Sequence, residues 1–128
     1  MKTSNPVVWF EIYVDDLKRA KKFYEAVLKV ELSELAMPDT DREMQMLFFP
    51  MEMNGDGAAG ALVKTEGVKA GGNSTSVYFG SDDCSVEENR IIEAGGKIFK
   101  SKQSIGEYGF MMLAYDTEGN IFGVHSEG

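Results

Sequence analysis

The chain has few of the residue types that most often carry out chemistry. Its 128 residues include one cysteine, one histidine and one tryptophan. A single cysteine, Cys84, excludes a disulfide within the chain and fits a reducing compartment. Cys84 falls in a predicted strand-to-helix turn without a neighbouring base, so we expect a buried structural side chain rather than a nucleophile. No Ser-His-Asp or Cys-His arrangement is indicated around the only histidine, His125.

Positive charge is also scarce. Lysine and arginine total 13 against 21 aspartates and glutamates, which gives a net charge of −8. We therefore expect no nucleic-acid binding, because a surface that follows the phosphate backbone needs clustered basic side chains. The one basic cluster, residues 18–22, is predicted to be the solvated face of a helix. No apolar run approaches the roughly 18 residues that a membrane span needs, and no signal peptide is indicated, so we expect a cytoplasmic location.

The clearest local pattern lies in residues 7–28. Residues 9–14 are dense in aromatic and β-branched side chains, which predicts a strand, and Asp15-Asp16 then provides an N-cap for a helix. Spacings of three and four define an apolar stripe on that helix, made of Leu17, Ala20, Phe23, Tyr24, Val27 and Leu28. Glu11 is the exception, since it places a carboxylate in the middle of an otherwise apolar strand.

A weaker copy of this pattern appears in the second half. Residues 75–81 predict a strand, Asp82-Asp83 repeats the acidic pair, and a helix ending at Gly95-Gly96 follows, with Ser85 and Glu88 at capping-box spacing. Further strands are predicted in both halves, at residues 30–35, 43–49, 61–64, 97–100, 108–115 and 121–125. Each half therefore predicts one strand, one helix and three strands. We expect modules at residues 1–66 and 74–128, joined by a glycine-containing linker at 67–73.

Three segments carry a resemblance to a known family: FEIYVDDLKRAKKFYEAVL, SVYFGSDDCSVEENRIIEAGGKI and AYDTEGNIFGVHSEG. Together they resemble the glyoxalase/bleomycin resistance protein/extradiol dioxygenase superfamily, also named the vicinal oxygen chelate superfamily. The resemblance implies an α+β fold in which two βαβββ modules form a cupped, half-open mixed β-barrel with the helices outside. It also implies a metal or a small organic molecule in the cup, and a homodimer.

The metal ligands implied by the resemblance do not carry over. The three positions that can be matched are occupied by Trp9, Ser76 and Gly123. A divalent metal site normally needs about three ligands with imidazole, carboxylate or thiolate chemistry. We therefore expect no metal and no other cofactor.

The pleat of the strands indicates what the cup contains. Side chains alternate across a strand, so Phe10, Ile12 and Val14 should face the helix. By the same alternation, the cup should be lined by Trp9, Glu11 and Tyr13, by Ser76, Tyr78 and Gly80, and by Gly123 and His125. Glu11, Tyr78 and His125 then form a candidate constellation of a carboxylate, a phenol and an imidazole.

Structural interpretations remain open beside the functional ones. Glu11 could hydrogen-bond Tyr78 or a loop N–H, since a buried carboxylate needs a partner. His125 lies close to the end of the sequence and could be a surface group. Trp9 could be a packing anchor, and the methionines could be core and rim filler or an adaptable apolar wall.

Three functions are consistent with these residues. The first is binding of a small organic molecule without metal, by sequestration or by acid–base chemistry with Glu11 and His125 as the catalytic pair. Ligand contacts would come from Trp9, Tyr13, Ser76, Tyr78 and Gly123. The second is a metal-dependent lyase or isomerase resembling lactoylglutathione lyase, in which Glu11 and His125 are the metal ligands. The third is a non-catalytic dimeric interaction module whose cup is filled by its own side chains.

Overall fold

The computed structural model describes residues 5–34, 44–52 and 54–128. Within these residues the chain forms seven strands and two helices. In chain order they are β1 (Trp9–Tyr13), α1 (Leu17–Leu28), β2 (Met44–Phe48), β3 (Ala59–Thr65), β4 (Val77–Ser81), α2 (Cys84–Ala94), β5 (Lys97–Ser104), β6 (Phe110–Tyr115) and β7 (Ile121–Ser126). A 3-10 turn, Gly106–Tyr108, joins β5 to β6. Neither of these two helices is long and apolar enough to cross a bilayer.

The strands form two sheets that share one plan. The first sheet has the order β1-β3-β2 and the second β4-β7-β6-β5. In each sheet the strand before the helix pairs in parallel with the last strand of its module, while the other pairs are antiparallel. β1 and β4 are consequently the edge strands at equivalent positions of the two sheets. The α+β fold with two modules in a half-open arrangement confirms the fold predicted from the sequence.

One core joins both modules. α1 packs against the first sheet, α2 packs against the second, and the two helices contact each other. The buried residues of this core include Ile12, Phe23, Leu62, Ile91 and Phe122. Phe10, Ile12 and Val14 lie on this side of β1, which confirms the alternation predicted for the first strand. Phe122 and Val124 do the same in β7, and Cys84 is fully buried as expected.

Several predicted boundaries need correction. Among residues 30–34 the ladder is reduced to an isolated bridge between Ser33 and Phe48, and residues 35, 37–41 and 43 lie outside the described part of the chain. The strand predicted from residue 108 starts at Phe110, because the 3-10 turn precedes it and Gly109 has a φ of 102°. β3 and β5 are longer than predicted.

The helix caps are partly as predicted. Asp16 is the N-cap of α1, and its side chain accepts from the Arg19 N–H at 3.0 Å. The capping box predicted from Ser85 and Glu88 is wrong, because Asp83 is the N-cap of α2 and accepts from the Ser85 N–H at 3.0 Å. Glu88 instead accepts from the backbone of Lys102 in β5 at 2.6 Å.

The turn between β6 and β7 holds the first module through Glu118, whose side chain is fully buried. Its Oε1 accepts from the N–H groups of Asp15 and Asp16 at 3.0 and 2.8 Å, and its Oε2 accepts from Arg19 Nε at 2.6 Å. Burial alone would raise the pKa of this carboxyl, but the hydrogen bonds from Arg19 and the backbone outweigh it and lower the pKa to about 2.

Asp116 and Asn120 complete this joint between the modules. Tyr24 donates to Asp116 at 2.6 Å inside the core, and Asp116 also accepts from the N–H groups of Glu118 and Asn120. Burial next to Asp116 raises the pKa of Tyr24 well above its ordinary value. Asn120 donates to the Tyr13 carbonyl at 3.0 Å and accepts from the Gly71 N–H at 2.7 Å. The polar residues of the Asp-Thr-Glu-Gly-Asn segment therefore have structural roles.

Candidate functional site

A deep groove separates the edge strands β1 and β4. Its volume is about 1010 Å³, at the upper end of the roughly 300–1000 Å³ of small-molecule sites. The two strands form its walls, and segments 56–58 and 68–73 contribute to its rim. Core side chains form its floor: Phe10, Ile12, Tyr24, Phe79 and Phe122. The floor is apolar because these side chains belong to the same core that packs against the helices.

The β1 wall presents the Trp-Glu-Tyr face predicted from the pleat. Trp9 Nε1 donates to Glu11 Oε2 at 3.1 Å, and the Tyr13 hydroxyl donates to Glu11 Oε1 at 3.0 Å. The hydrogen bond to Glu11 raises the pKa of Tyr13. Glu11 is solvent-exposed, and these partners are its strand neighbours rather than Tyr78 or a loop N–H. Two rings thus fix the orientation of the carboxylate at the groove surface.

The β4 wall is formed by Tyr78 and small neighbours. Ser76, Tyr78 and Gly80 all line the groove, and Tyr78 is 50% exposed. The Tyr78 ring lies directly over Gly123 of β7, where any Cβ would collide with the ring. Gly123 is therefore buried beneath Tyr78 and acts as its support. A larger residue at 123 would force the ring to move.

His125 does not line the groove. It shares a sheet face with Gly80 through the parallel pairing of β4 and β7, as the alternation predicted. Its Nε2 lies 2.6 Å from the carbonyl oxygen of Tyr108, so Nε2 carries the proton and donates to the 3-10 turn. The structure thus brings Trp9, Glu11, Tyr13, Ser76 and Tyr78 into one groove and leaves His125 outside it.

Other lining residues were not singled out from the sequence. Asp56 and Lys69 bring a carboxylate and an ammonium to the rim, and Asn120 lines the groove as well as holding the joint. Asp56 and Lys69 belong to the glycine-containing segment 55–72, in the two predicted loops on either side of the strand predicted at residues 61–64. The density of glycine predicted loops, but it did not indicate that these loops would lie at the rim of the groove.

A second, smaller apolar cluster lies on the first sheet. Phe48, Ala61 and Val63 are buried there, with Tyr13, Met44 and Met46 packed against them. The Trp9 ring lies 6.1 Å from the Phe48 ring. Met44 and Met46, on β2, thus extend the apolar cluster that packs beside Tyr13.

Comparisons with known proteins agree with this architecture. Residues 7–40 match the family model for the bleomycin resistance protein-like N-terminal region. The structure is similar to TnmS3, an antibiotic binding protein from Streptomyces sp. CB03234, with a TM-score of 0.68, 20% identity and coverage of 99% of this chain and 100% of TnmS3. No curated protein matches the sequence.

Two further structures show the same fold. FosX from Listeria monocytogenes, a fosfomycin resistance protein solved as a mutant in complex with Mn(II), gives a TM-score of 0.69 at 15% identity, covering 99% of this chain and 95% of FosX. Glyoxalase I from Zea mays gives a TM-score of 0.71 at 22% identity, covering 93% of this chain but only 43% of the maize enzyme. The chain therefore shares the fold of FosX and of part of glyoxalase I.

The described residues at the positions matched to the resembled superfamily's metal ligands do not fit a divalent metal. Trp9 and Ser76 line the groove, but neither side chain carries an imidazole, a carboxylate or a thiolate. Gly123 has no side chain and lies under the Tyr78 ring. Ala59, paired with Trp9 in the sheet, also lacks a donor. Across residues 5–34, 44–52 and 54–128, no three His, Cys, Asp or Glu side chains are grouped as a metal would require.

Proposed function

We propose that this chain is a vicinal oxygen chelate protein that binds a small organic molecule in the groove between β1 and β4 and does so without a metal ion. The observation that carries the proposal is the groove itself: about 1010 Å³, with an apolar floor and the Trp9–Glu11–Tyr13 face on one wall. A large concave apolar site with few, well-oriented polar groups is typical of ligand binding. TnmS3, of the same fold over its whole length, is an antibiotic binding protein.

Sequestration is supported better than catalysis by Glu11 and His125. A general acid and a general base must both reach the same bound molecule, within hydrogen-bonding distance or through one water. Glu11 lines the groove, whereas His125 is bonded to the Tyr108 carbonyl and is not among the lining residues. A cytoplasmic location and a homodimer are parts of the same proposal. The exposed Ile92 and Phe99, which do not line the groove, support a dimer by giving a second copy apolar surface to cover.

A thermal-shift screen of a small-molecule library, followed by calorimetry on the hits, tests the proposal. Binding of a hit raises the melting temperature by mass action, and we expect Tyr78→Ala to weaken that binding about tenfold or more. Tyr108→Ala is the matched control, because Tyr108 is an exposed tyrosine outside the groove lining. A library without hits would favour an interaction module, and sedimentation would then show whether two copies associate.

Metal analysis separates the proposal from the lyase or isomerase alternative. Protein purified without chelator should contain much less than one equivalent of Zn, Ni, Mn or Fe. A stoichiometric metal that is lost on Glu11→Gln would overturn metal-independent binding and favour the alternative. Retention of that metal by Glu107→Gln, an exposed carboxylate on the 3-10 turn, would assign the loss to the groove.

A further inference from the structure

The β1 wall offers a ligand a carboxylate but few hydrogen-bond donors. The Trp9 N–H and the Tyr13 O–H both point at Glu11, one to each carboxylate oxygen. A carboxylate has about four acceptor positions, so each Glu11 oxygen keeps free capacity after these two bonds. An incoming molecule therefore meets an acceptor with a full negative charge. An anionic ligand would find both donors already engaged.

The charged side chains that line the groove are acidic on balance. Among the described residues that line it, Glu11 and Asp56 are acidic and Lys69 is the one basic side chain. The whole chain carries a net charge of −8. Such a field raises the local concentration of cations and lowers that of anions.

The rings next to Glu11 suit a positive charge as well. Trp9 and Tyr13 flank the carboxylate on β1, and Tyr78 lies on the opposite wall with half of its surface exposed. Aromatic faces attract ammonium groups through the ring quadrupole, most strongly for tryptophan. Below them, the floor of Phe10, Ile12 and Phe79 is apolar. The groove thus combines an acidic aromatic wall with an apolar interior.

We propose that the groove recognises an organic cation, in which a protonated amine or quaternary ammonium is attached to an apolar body. The ammonium group lies against Glu11 and the rings of Trp9 and Tyr78, while the apolar body occupies the floor. This inference rests on the proposed function and names the class of ligand. It predicts a preference for charge that a purely apolar groove would not have.

Three probes with the same phenylbutyl body test the preference: 4-phenylbutyltrimethylammonium, 4-phenylbutanol and 4-phenylbutyrate. Trp9 is the only tryptophan and lines the groove, so its fluorescence reports binding directly. We expect the ammonium probe to bind about tenfold more tightly than the alcohol, and the carboxylate to bind most weakly. Raising the salt concentration should weaken binding of the ammonium probe and leave binding of the alcohol unchanged, because salt screens interactions between charges.

Variants assign the preference to individual side chains. Glu11→Gln should reduce affinity for the ammonium probe about tenfold and leave the alcohol within about twofold. Tyr78→Leu keeps an apolar side chain and should also reduce the ammonium preference, which provides a second test if Glu11→Gln fails to fold. Glu107→Gln removes an equal charge from an exposed position outside the groove and should leave both affinities unchanged. Circular dichroism confirms that each variant is folded.

The possible failures are distinguishable. Equal affinity for all three probes, tightest binding of the carboxylate, or a Glu11→Gln variant that keeps the full ammonium preference would each overturn the inference, while binding in the groove would remain. Absence of binding by every probe would also overturn it. Whether the groove binds any molecule is decided separately by the library screen, and uncharged or anionic hits that bind there would support the proposed function alone.

Discussion

Glu118 and Glu11 belong to two of the segments that carry the family resemblance, yet their surroundings differ in nearly every respect. Glu118 is buried in the joint between the modules, where an arginine and two backbone N–H groups surround it. Glu11 is exposed in the groove, and its donors are one indole and one phenol. A carboxylate with its acceptor capacity filled and a cation beside it holds a fold together. One that keeps free acceptor positions and a net charge is suited to bind a ligand.

Removing the buried carboxylate should have the largest effect. In Glu118→Gln the ion pair with Arg19 is lost, and an amide must replace a charged acceptor for the Asp15 and Asp16 N–H groups. We expect a loss of about 2–3 kcal/mol in the free energy of unfolding, measured by urea denaturation at neutral pH. Glu107→Gln, at an exposed position, is the control and should change stability by less than about 0.5 kcal/mol. Equal stability of the two variants would contradict a structural role for Glu118.

Glu118 should also make the largest contribution to the loss of folding stability at acidic pH. Its pKa is lowered from 4.5 to about 2 on folding, so its contribution is complete above pH 4.5 and is lost as the pH falls toward 2. With roughly 1.4 kcal/mol for each pH unit, the wild-type protein should lose up to about 3 kcal/mol over this interval through Glu118. The stability difference between wild type and Glu118→Gln should therefore shrink as the pH falls.

The stability of the Glu118→Gln variant should still depend on pH in the acid range, because a second carboxylate also has a lowered pKa. Asp83 has its pKa lowered from 3.8 to about 2, mainly by the hydrogen bond from Lys102 and also by those from Ser85. It remains in Glu118→Gln, so that variant should still lose some stability as the pH falls from 3.8 to about 2. Parallel pH profiles for the two proteins, measured by urea denaturation, would contradict the assignment to Glu118.

The sequence predicted the features that depend on local periodicity. The alternation in residues 9–14 and 122–125 assigned each strand a core face, and the spacing of three and four defined the buried stripe of α1. The pair Asp15-Asp16 was predicted to cap α1, and Asp16 does so, whereas Asp15 accepts from the Ala70 N–H. The Ser85 cap failed because α2 starts at Cys84, which places Ser85 inside the first turn and Asp83 at the N-cap.

Features made by distant residues could not be predicted from the sequence. Glu118 and Arg19 are 99 positions apart, and no pattern in either segment names the other. The groove floor depends on how far apart the free edges of the two sheets lie, which only tertiary packing determines. Alternation placed His125 on the correct sheet face but gave no information about its bond to the Tyr108 carbonyl. The alternation of side chains along a strand predicts the sheet face on which a residue lies, but it does not predict the residue's rotamer or its hydrogen-bond partner.

The smallest effect on stability should come from the exposed carboxylate. Glu11→Gln keeps an acceptor oxygen and a similar shape between Trp9 and Tyr13, and the side chain is solvated, so we expect a change within about 0.5 kcal/mol. Urea denaturation beside Glu118→Gln provides the direct comparison. The Tyr13 pKa, which the bond to Glu11 raises, should fall toward its ordinary value in a spectrophotometric titration. A loss of stability as large as that of Glu118→Gln would show that Glu11 supports the fold, and the distinction between a joint and a ligand-facing carboxylate would not hold.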